Sequence, residues 1–291
     1  MKSLEEYKDE YAIYDKKAKI GTTIIIISFL LFLPSGGIGF SSGLFFLPFL
    51  VMAGFMAGGV ISGIYHNKMK LLINEYKTQY MPKAIESILP GSEFNVNGGF
   101  DEMELYRSRI LSKADRYHTE DQFIGEWDGI KFKTADVTLK DVRSNGKSTT
   151  VVTVFQGRVY RLDFPLPFLT DMLVYQNRFI VKWALGEFEQ VETESIDFNH
   201  SFQVLAKDSL NAFRILKPDF MEKLMALDRQ TVHKIALSFQ GEHLYIAIDT
   251  REDTLDYESK LAVLDTPTLA FEKTLQLIKD FIAFFKVLDR S

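Results

Sequence analysis

Between Ile20 and Tyr65 the chain runs 46 residues without an Asp, Glu, Lys or Arg, although 25% of the whole protein is charged. At that charge density, which is the average for soluble chains, such a run has a chance probability on the order of two in a million. A straight helix of this length would measure about 69 Å at ~1.5 Å per residue, more than twice the ~30 Å hydrocarbon core of a bilayer. The sequence therefore predicts a segment that crosses a membrane, turns and returns. Pro34-Ser35-Gly36-Gly37 closes the first apolar stretch and Pro48 opens the second, with Gly39, Ser41, Ser42 and Gly43 between them. The expected spans are about 20–34 and 47–66. The first is short unless it takes in residues before Lys19 or continues, kinked, beyond Pro34. In the second, Pro48 sits in the first turn, where it costs no needed hydrogen bond.

Charge sets the expected orientation. Lys16, Lys17 and Lys19 precede the first span, Lys68 and Lys70 follow the second, and the connecting loop has no basic residue. Positive flanks face the cytoplasm, so both termini are expected there, in a multi-pass protein of the cell (inner) membrane. A lysine at the bilayer centre costs roughly 2.5–3.5 kcal/mol, which makes these five lysines the membrane-boundary residues. The rival reading of Lys16 to Leu33 is a cleaved signal peptide, with a basic start and an apolar centre. The second span would then remain as the anchor.

Outside the span each flank carries a helical stripe, Leu4, Tyr7, Tyr11, Tyr14 and Ala18 on one side and Met69, Leu72, Ile73, Tyr76 and Tyr80 on the other. Spacings of three and four place each set on one face. Residues 1–19 thus read as an amphipathic helix and 67–81 as a stalk helix packed against it, ended or kinked at Met81-Pro82. The alternative, an N-terminal helix lying on the lipid surface, suits residues 1–19 less well because their five lysines meet five acids.

Residues 82–291 are expected to form a cytoplasmic α+β domain. Phe100 to Asp115 reads as a helix with Met103, Tyr106, Ile110 and Leu111 on one face. The period then falls to two: Phe123, Gly125 and Trp127 alternate before Asp128-Gly129, and Ile130, Phe132, Ala135, Val137 and Leu139 follow, which is a hairpin signature. Asn145-Gly146 turns a second hairpin with a return strand over Val151 to Leu162. Pro165 and Pro167 interrupt, Phe179 to Leu185 reads as a strand, and Phe198 to Leu205 as extended. Asp208 caps a short helix through Arg214, and Pro218 begins one through Leu227. Ile235, Leu237 and Phe239 share a face with Leu244, Ile246 and Ile248 across a turn at Gln240-Gly241-Glu242. Thr266 caps and Pro267 opens a last helix whose apolar face, Phe271, Leu275, Ile278, Phe281, Ile282, Phe285 and Leu288, suits a cover for the sheet. Binding of that face to a membrane surface is the alternative.

No cysteine occurs, so disulfides, thiolate metal sites and cysteine nucleophiles are absent. Beyond the apolar run the chain carries 29 Lys and Arg against 34 Asp and Glu, and no basic cluster is interleaved with aromatics, so nucleic acid is not an expected partner. The segment Val191-Glu192-Thr193-Glu194 with Phe198, Phe202, Val204, Asp208, Ala212, Arg214, Ile215-Leu216, Pro218 and Phe220-Met221-Glu222 resembles a bacterial family named domain of unknown function 3137. Leu237 to Ile248, Glu120-Asp121, Ile124-Gly125, Gly129, Phe132 and Phe155-Gln156-Gly157 resemble it too. The resemblance implies two N-terminal membrane spans and a cytoplasmic α+β region, and a shared envelope process with LemA-type membrane proteins as candidate partners. It brings no reaction and no catalytic residues, and the first span here is shorter than in typical members.

Chemical motifs fail on spacing. Asn145-Gly146-Lys147-Ser148-Thr149 resembles the end of a phosphate-binding loop, but Asp141 stands where its first glycine is required. Gly37, Gly39 and Gly43 lack the strand and helix of a dinucleotide site and read as turn glycines. The histidines, at 66, 118, 200, 233 and 243, form no i, i+4 pair for zinc; His233 and His243 flank one hairpin, where they are candidate cross-strand neighbours. Asp249, Glu252, Asp253 and Asp256 suggest calcium until Thr254 is seen at the glycine position of the loop. Glu192 and Glu194 are spaced to share one face of a strand, which suits a solvated edge better than an acid and base pair. Hence no catalytic, cofactor-binding or metal residues and no cofactor are expected. In the second span Gly54, Gly58 and Ser62 make a small-residue stripe at four-residue spacing, with Gly59 and Gly63 beside it, suited to close helix packing within the hairpin or between copies in a homo-oligomer. The expected role is a membrane-anchored cytoplasmic binding or scaffold module. The alternatives are a membrane-tethered, hydrolase-like enzyme and a subunit of an oligomeric transport or pore assembly.

Overall fold

A computed structural model describes residues 2–146, 148–177, 179, 186–230, 233–251 and 266–288. The described residues divide into two compact units, one ending at Met81 and one beginning at Pro82 that takes in the last helix from Pro267.

The first unit is a helical hairpin. Helix α1 spans Leu4–Ser42 and α2 spans Leu47–Glu75. Both are long and apolar enough to cross a membrane. Ser3 starts α1 through a reciprocal cap, its hydroxyl accepting from the Glu6 N–H (3.3 Å) while the Glu6 carboxylate accepts from the Ser3 N–H (2.6 Å). α1 takes in residues before Lys19 and continues beyond Pro34, the longer of the readings of the first span, and the chain does not turn at Pro34–Gly37. Pro34 removes one donor inside α1, yet the helix continues, with the Ser35 hydroxyl donating to the Phe32 carbonyl (2.7 Å) and Ser41 to that of Ile38 (3.2 Å). The turn comes at Gly43, whose φ of +73° is left-handed and suits glycine. Gly37 and Gly39 are helical, and of the three presumed turn glycines only Gly43 turns the chain.

The helices run antiparallel, as paired contacts along them show: Tyr7 packs edge-on against Tyr76 (5.4 Å between rings), Tyr14 against Tyr65 (6.0 Å) and Thr22 Oγ1 against Ser62 Oγ (3.2 Å). Tyr7, Tyr11, Ala18, Met69, Leu72 and Tyr76 from the two predicted stripes are buried. The kink expected at Met81-Pro82 takes another form. A π turn over Tyr76–Tyr80 precedes α3 (Met81–Ile88), and Pro82 falls in the first turn of α3, where its missing N–H costs least.

The second unit is a nine-stranded antiparallel sheet with helices, in the order β1-β2-β3-β4-β9-β8-β5-β7-β6. Its elements are β1 (Glu93–Asn95), α4 (Glu102–Arg107), β2 (Arg116–Trp127), β3 (Ile130–Ser144), β4 (Thr149–Asp163), β5 (Met172–Gln176), β6 (Glu189–Val191), α5 (Ile196–Ser201), β7 (Phe202–Ala206), α6 (Ser209–Ile215), α7 (Pro218–Gln230), β8 (Lys234–Gln240), β9 (His243–Asp249) and α8 (Thr266–Leu288). The three hairpins form as their turn residues require. Asp128 and Gly129 both adopt positive φ (52° and 76°), as a two-residue turn of the right twist demands. Ile235, Leu237 and Phe239 pair with Ile248, Ile246 and Leu244.

Three helical or extended readings change. The helix expected over Phe100 to Asp115 ends at Arg107, because Arg109 takes a left-handed φ of 58°; Ile110 and Leu111 are buried in the irregular segment that follows, and Met103 is half exposed. Ser195 caps a helical turn over Ile196–Ser201, so only Phe202–Ala206 of the Phe198 to Leu205 stretch is a strand. Strand β5 went unread, since its buried MLVYQ has no alternation. The strand expected over Phe179 to Leu185 lies almost wholly outside the described residues, and so does the capping role of the Thr266 side chain.

Helix α8 covers one face of the sheet. Phe271 meets Phe123 (4.6 Å between rings), Phe281 meets Tyr160 (6.2 Å) and Phe285 meets Phe239 (5.7 Å), and all six predicted apolar positions from Phe271 to Phe285 are buried. The opposite face packs Leu139, Phe155, Val159, Tyr245 and Ala247 against Leu105, Ile110, Leu111 and Ala114. Beneath α8 lies a buried guanidinium. Arg158 donates to Thr134 Oγ1 (3.0 Å), the Asp136 carboxylate (3.2 Å) and the Asp121 carbonyl (2.8 Å), tying β4 to β3 and β2. Asp121 presents that carbonyl from a β-bulge, with φ of 53°.

One residue on β4 must be glycine. A Cβ on Gly157 would lie 2.0 Å from the Ile248 carbonyl oxygen, across the β4–β9 ladder. Gly157→Ala is expected to lower the stability of the sheet unit by about 1–3 kcal/mol or more. Gly59→Ala, whose Cβ would meet nothing within 4 Å, should leave it unchanged. Chemical denaturation of the two variants checks the contrast, and equal midpoints would contradict the close approach.

Candidate functional site

A small cleft with about 30 Å³ of space lies on the face of the sheet opposite α8. Leu139 and Asp141 of β3, Val154 and Phe155 of β4, Lys234 of β8 and Asp249 of β9 bring four adjacent strands to it. Leu111, Ser112 and Lys113 close one side, and Phe179 and Arg251 complete the lining. The floor is apolar: Leu111, Leu139, Phe155 and Phe179 are each buried.

Local backbone geometry fixes the charged wall. Gly157 and Lys234 both register with Asp249. The Asp249 carboxylate accepts from the Gln156 N–H (3.3 Å) and pairs with Arg251 Nε (3.1 Å). Arg251, at a left-handed φ of 60°, donates its own N–H to the Gln156 carbonyl (2.8 Å) and Nη1 to that of Thr153 (2.9 Å). The Asp249–Arg251 pair is therefore spoken for. Lys113 and Lys234 make no ion pair among the described residues.

A second polar group crosses the outer part of the sheet. Glu104 of α4 accepts from Arg161 (2.7 Å) and Lys133 (3.3 Å), Arg161 also pairs with Asp163 (2.9 Å), and Asp163 reaches His243 Nδ1 (2.7 Å). Burial holds the neighbouring Tyr245 phenol neutral, its pKa pushed up to about 12. Strand pairing sets Lys133 opposite Arg161 and Asp163 opposite His243, which accounts for the group. Sequence spacing missed both assemblies, since their members come together only through strand register.

The sequence motifs resolve into structure. Asn145-Gly146 is a hairpin tip, with Gly146 at φ of +80°. His233 and His243 are not cross-strand neighbours: Gln240 pairs with His243 and Lys234 with Asp249, which puts the two histidines at opposite ends of the hairpin. Glu192 and Glu194 follow β6 and are exposed. Among the described residues no group of three His, Cys, Asp or Glu is placed to hold a metal. Glu252, Asp253 and Asp256 lie outside them.

In the hairpin, the small residues of α2 fall on two faces. A Cβ on Gly58 would sit 2.8 Å from the Gly21 carbonyl oxygen, and one on Gly54 would sit 2.9 Å from Ser28 Oγ. Ser62 adds its bond to Thr22. Gly59 and Gly63 meet nothing. Of the flanking lysines, Lys19 pairs with Asp15 (2.6 Å), Lys17 lies over the Tyr65 ring (5.2 Å) and Lys68 over those of Tyr14 and Tyr65 (5.6 and 5.3 Å), while Lys16 and Lys70 are exposed.

Residues 153–290 match the family model described as "Protein of unknown function (DUF3137)". The match covers 138 of the 291 residues. The resemblance drawn from scattered residues therefore holds, and the DUF3137 match contains Phe155, Lys234, Asp249 and Arg251 of the cleft together with α8. No curated protein matches the chain. Among solved structures, the crystal structure of the mycobacterial trehalose monomycolate transport factor A aligns over 67% of this chain and 94% of its own, at 9% identity and a TM-score of 0.37. That likeness carries no argument about fold or function.

The hairpin lies before the DUF3137 match, and its packing has its own test. With no native cysteine to interfere, the pair Ser28→Cys and Gly54→Cys is expected to form an intrachain disulfide on mild oxidation. Ser28→Cys paired with Gly63→Cys should not. Mobility on non-reducing gels reads the difference, and equal cross-linking of both pairs would contradict the facing of α1 and α2.

Proposed function

We propose that the protein is a membrane-anchored binding module, its helical hairpin inserted in the cell membrane and its DUF3137-containing sheet unit in the cytoplasm. The observation that carries this is the outer surface of the hairpin. Phe29, Leu33, Phe40 and Phe49 are 72%, 83%, 82% and 71% exposed, in a stretch with no charged side chain. Apolar surface on that scale has to be covered by lipid or protein. The lysines at both feet of the hairpin support the inside orientation.

A pore or transport subunit has less support, because the polar side chains of α1 and α2 are used locally: Thr22 bonds Ser62, and Ser35 and Ser41 bond carbonyls of their own helix. Gly59 and Gly63, open on the outer face of α2, are where a second copy would pack in a homo-oligomer. LemA-type membrane proteins stay as candidate partners on the family resemblance.

The test uses the full chain with a cleavable tag after Ser291. Alkaline carbonate should leave the protein in the membrane pellet. Protease added to intact cells should spare the tag and remove it only after permeabilisation. Release into the carbonate supernatant would overturn the anchor, and cleavage in intact cells would overturn the orientation.

A further inference from the structure

We propose that the groove between α1 and α2 at the foot of the hairpin holds the head group of a phospholipid that carries a primary ammonium, a phosphoethanolamine, with its acyl chain lying along α1. The inference rests on the reading of the hairpin as a membrane anchor. The groove measures about 470 Å³, within the ~300–1,000 Å³ of small-ligand sites. Tyr11, Ala18 and Met69 make its buried floor, while Lys19, Thr22, Thr23 and His66 stand exposed around it and Asp15 is half-buried. A ligand is therefore met by the rim, and no core residue has to move.

Along α1 the chemistry changes in the order in which it changes along a phospholipid. Ile26, Ile27 and Leu30, exposed and on the same face as Lys19 and Thr23, give an apolar track on the hydrocarbon side. Lys19 is the cation at the mouth of that track, where a lipid phosphate lies. Asp15 is one turn farther out, about 6 Å along the axis at ~1.5 Å per residue, where the ammonium of a phosphoethanolamine extends beyond its phosphate.

The hydrogen-bond inventory selects the ammonium. Thr22 and Thr23 spend their hydroxyls on the Ala18 and Lys19 carbonyls (3.1 and 2.8 Å), so neither has a donor to spare. His66 Nδ1 donates to the Ser62 carbonyl (2.8 Å), which makes Nε2 the acceptor nitrogen of a neutral ring. Asp15 accepts from Lys19 with one oxygen (2.6 Å) and has the other to offer, and Lys19 has further N–H groups for a phosphate. The rim thus presents a cation beside two acceptors, Asp15 and His66. A primary ammonium has N–H donors for them, and a quaternary one has none. An anionic lipid without an amine would set its charge beside Asp15 and leave both acceptors unused.

The experiment is native mass spectrometry of the full chain in detergent micelles holding equal amounts of dioleoyl phosphatidylethanolamine, phosphatidylcholine and phosphatidylglycerol. The first should be retained at least about fivefold over either of the others, the worth of about one net hydrogen bond. Asp15→Ala should bring it to within about twofold of phosphatidylcholine and raise phosphatidylglycerol above both, because Lys19 is released. Soluble O-phosphoethanolamine in excess should not displace the lipid, since it lacks the chain that the apolar track holds. Equal retention of the three lipids, a preference of the native chain for phosphatidylglycerol, an unchanged preference in Asp15→Ala, or displacement by the soluble head group would each overturn the proposal. The comparison of lipids needs no variant, so it stands even where the substitution disturbs the hairpin. A chain that resists carbonate but retains the three lipids equally overturns the groove and leaves the anchor standing, whereas release by carbonate overturns both.

Discussion

The close approach of two helix backbones at Gly21 and Gly58 is the contact on which the first unit depends. With 2.8 Å between the place of a Gly58 Cβ and the Gly21 carbonyl oxygen, any larger residue would push α1 and α2 apart. Van der Waals packing at that distance is the main attraction open to helices whose outer surfaces are equally apolar. It turns a charge-free stretch into a hairpin whose feet, Tyr7, Tyr11, Met69 and Tyr76, are buried against each other. The bulky residues then point outward, and the proposed membrane placement follows from what must cover them.

In the sheet unit the corresponding constraint is strand registration. Arg158 holds β2, β3 and β4 through three hydrogen bonds from one guanidinium, and Gly157 beside it lets β9 come close. A buried ion pair of this kind gives little net stability, but removal of one partner costs several kcal/mol, so it specifies the arrangement more than it strengthens it. The same register brings Lys234 and Asp249 opposite one another and sets the cleft at the end of the β4–β9 ladder. The candidate site is thus a consequence of how the sheet closes.

Much of this was legible in the sequence where a local cause acts alone. Asp128-Gly129, Asn145-Gly146 and Gly241 announced their hairpins because positive φ leaves few residue choices, and α8 announced itself by a long apolar face. Pro34 misled, since a long helix can carry one missing donor in its interior without ending there. Ser195 and Arg109 changed helix and strand limits through single-residue effects of caps and left-handed φ. The cleft was illegible in principle: Leu111, Asp141, Phe155, Lys234 and Arg251 are far apart in sequence and meet only through strand pairing.

The central claim is that the hairpin lies in hydrocarbon while the sheet unit is in water, and spin-label accessibility tests it most directly. A nitroxide on Phe29→Cys in bilayer nanodiscs is expected to be relaxed strongly by oxygen and weakly by a water-soluble nickel chelate, with the reverse at Ser148→Cys in the hairpin tip between β3 and β4. Nickel relaxation at position 29 equal to that at position 148 would contradict the account.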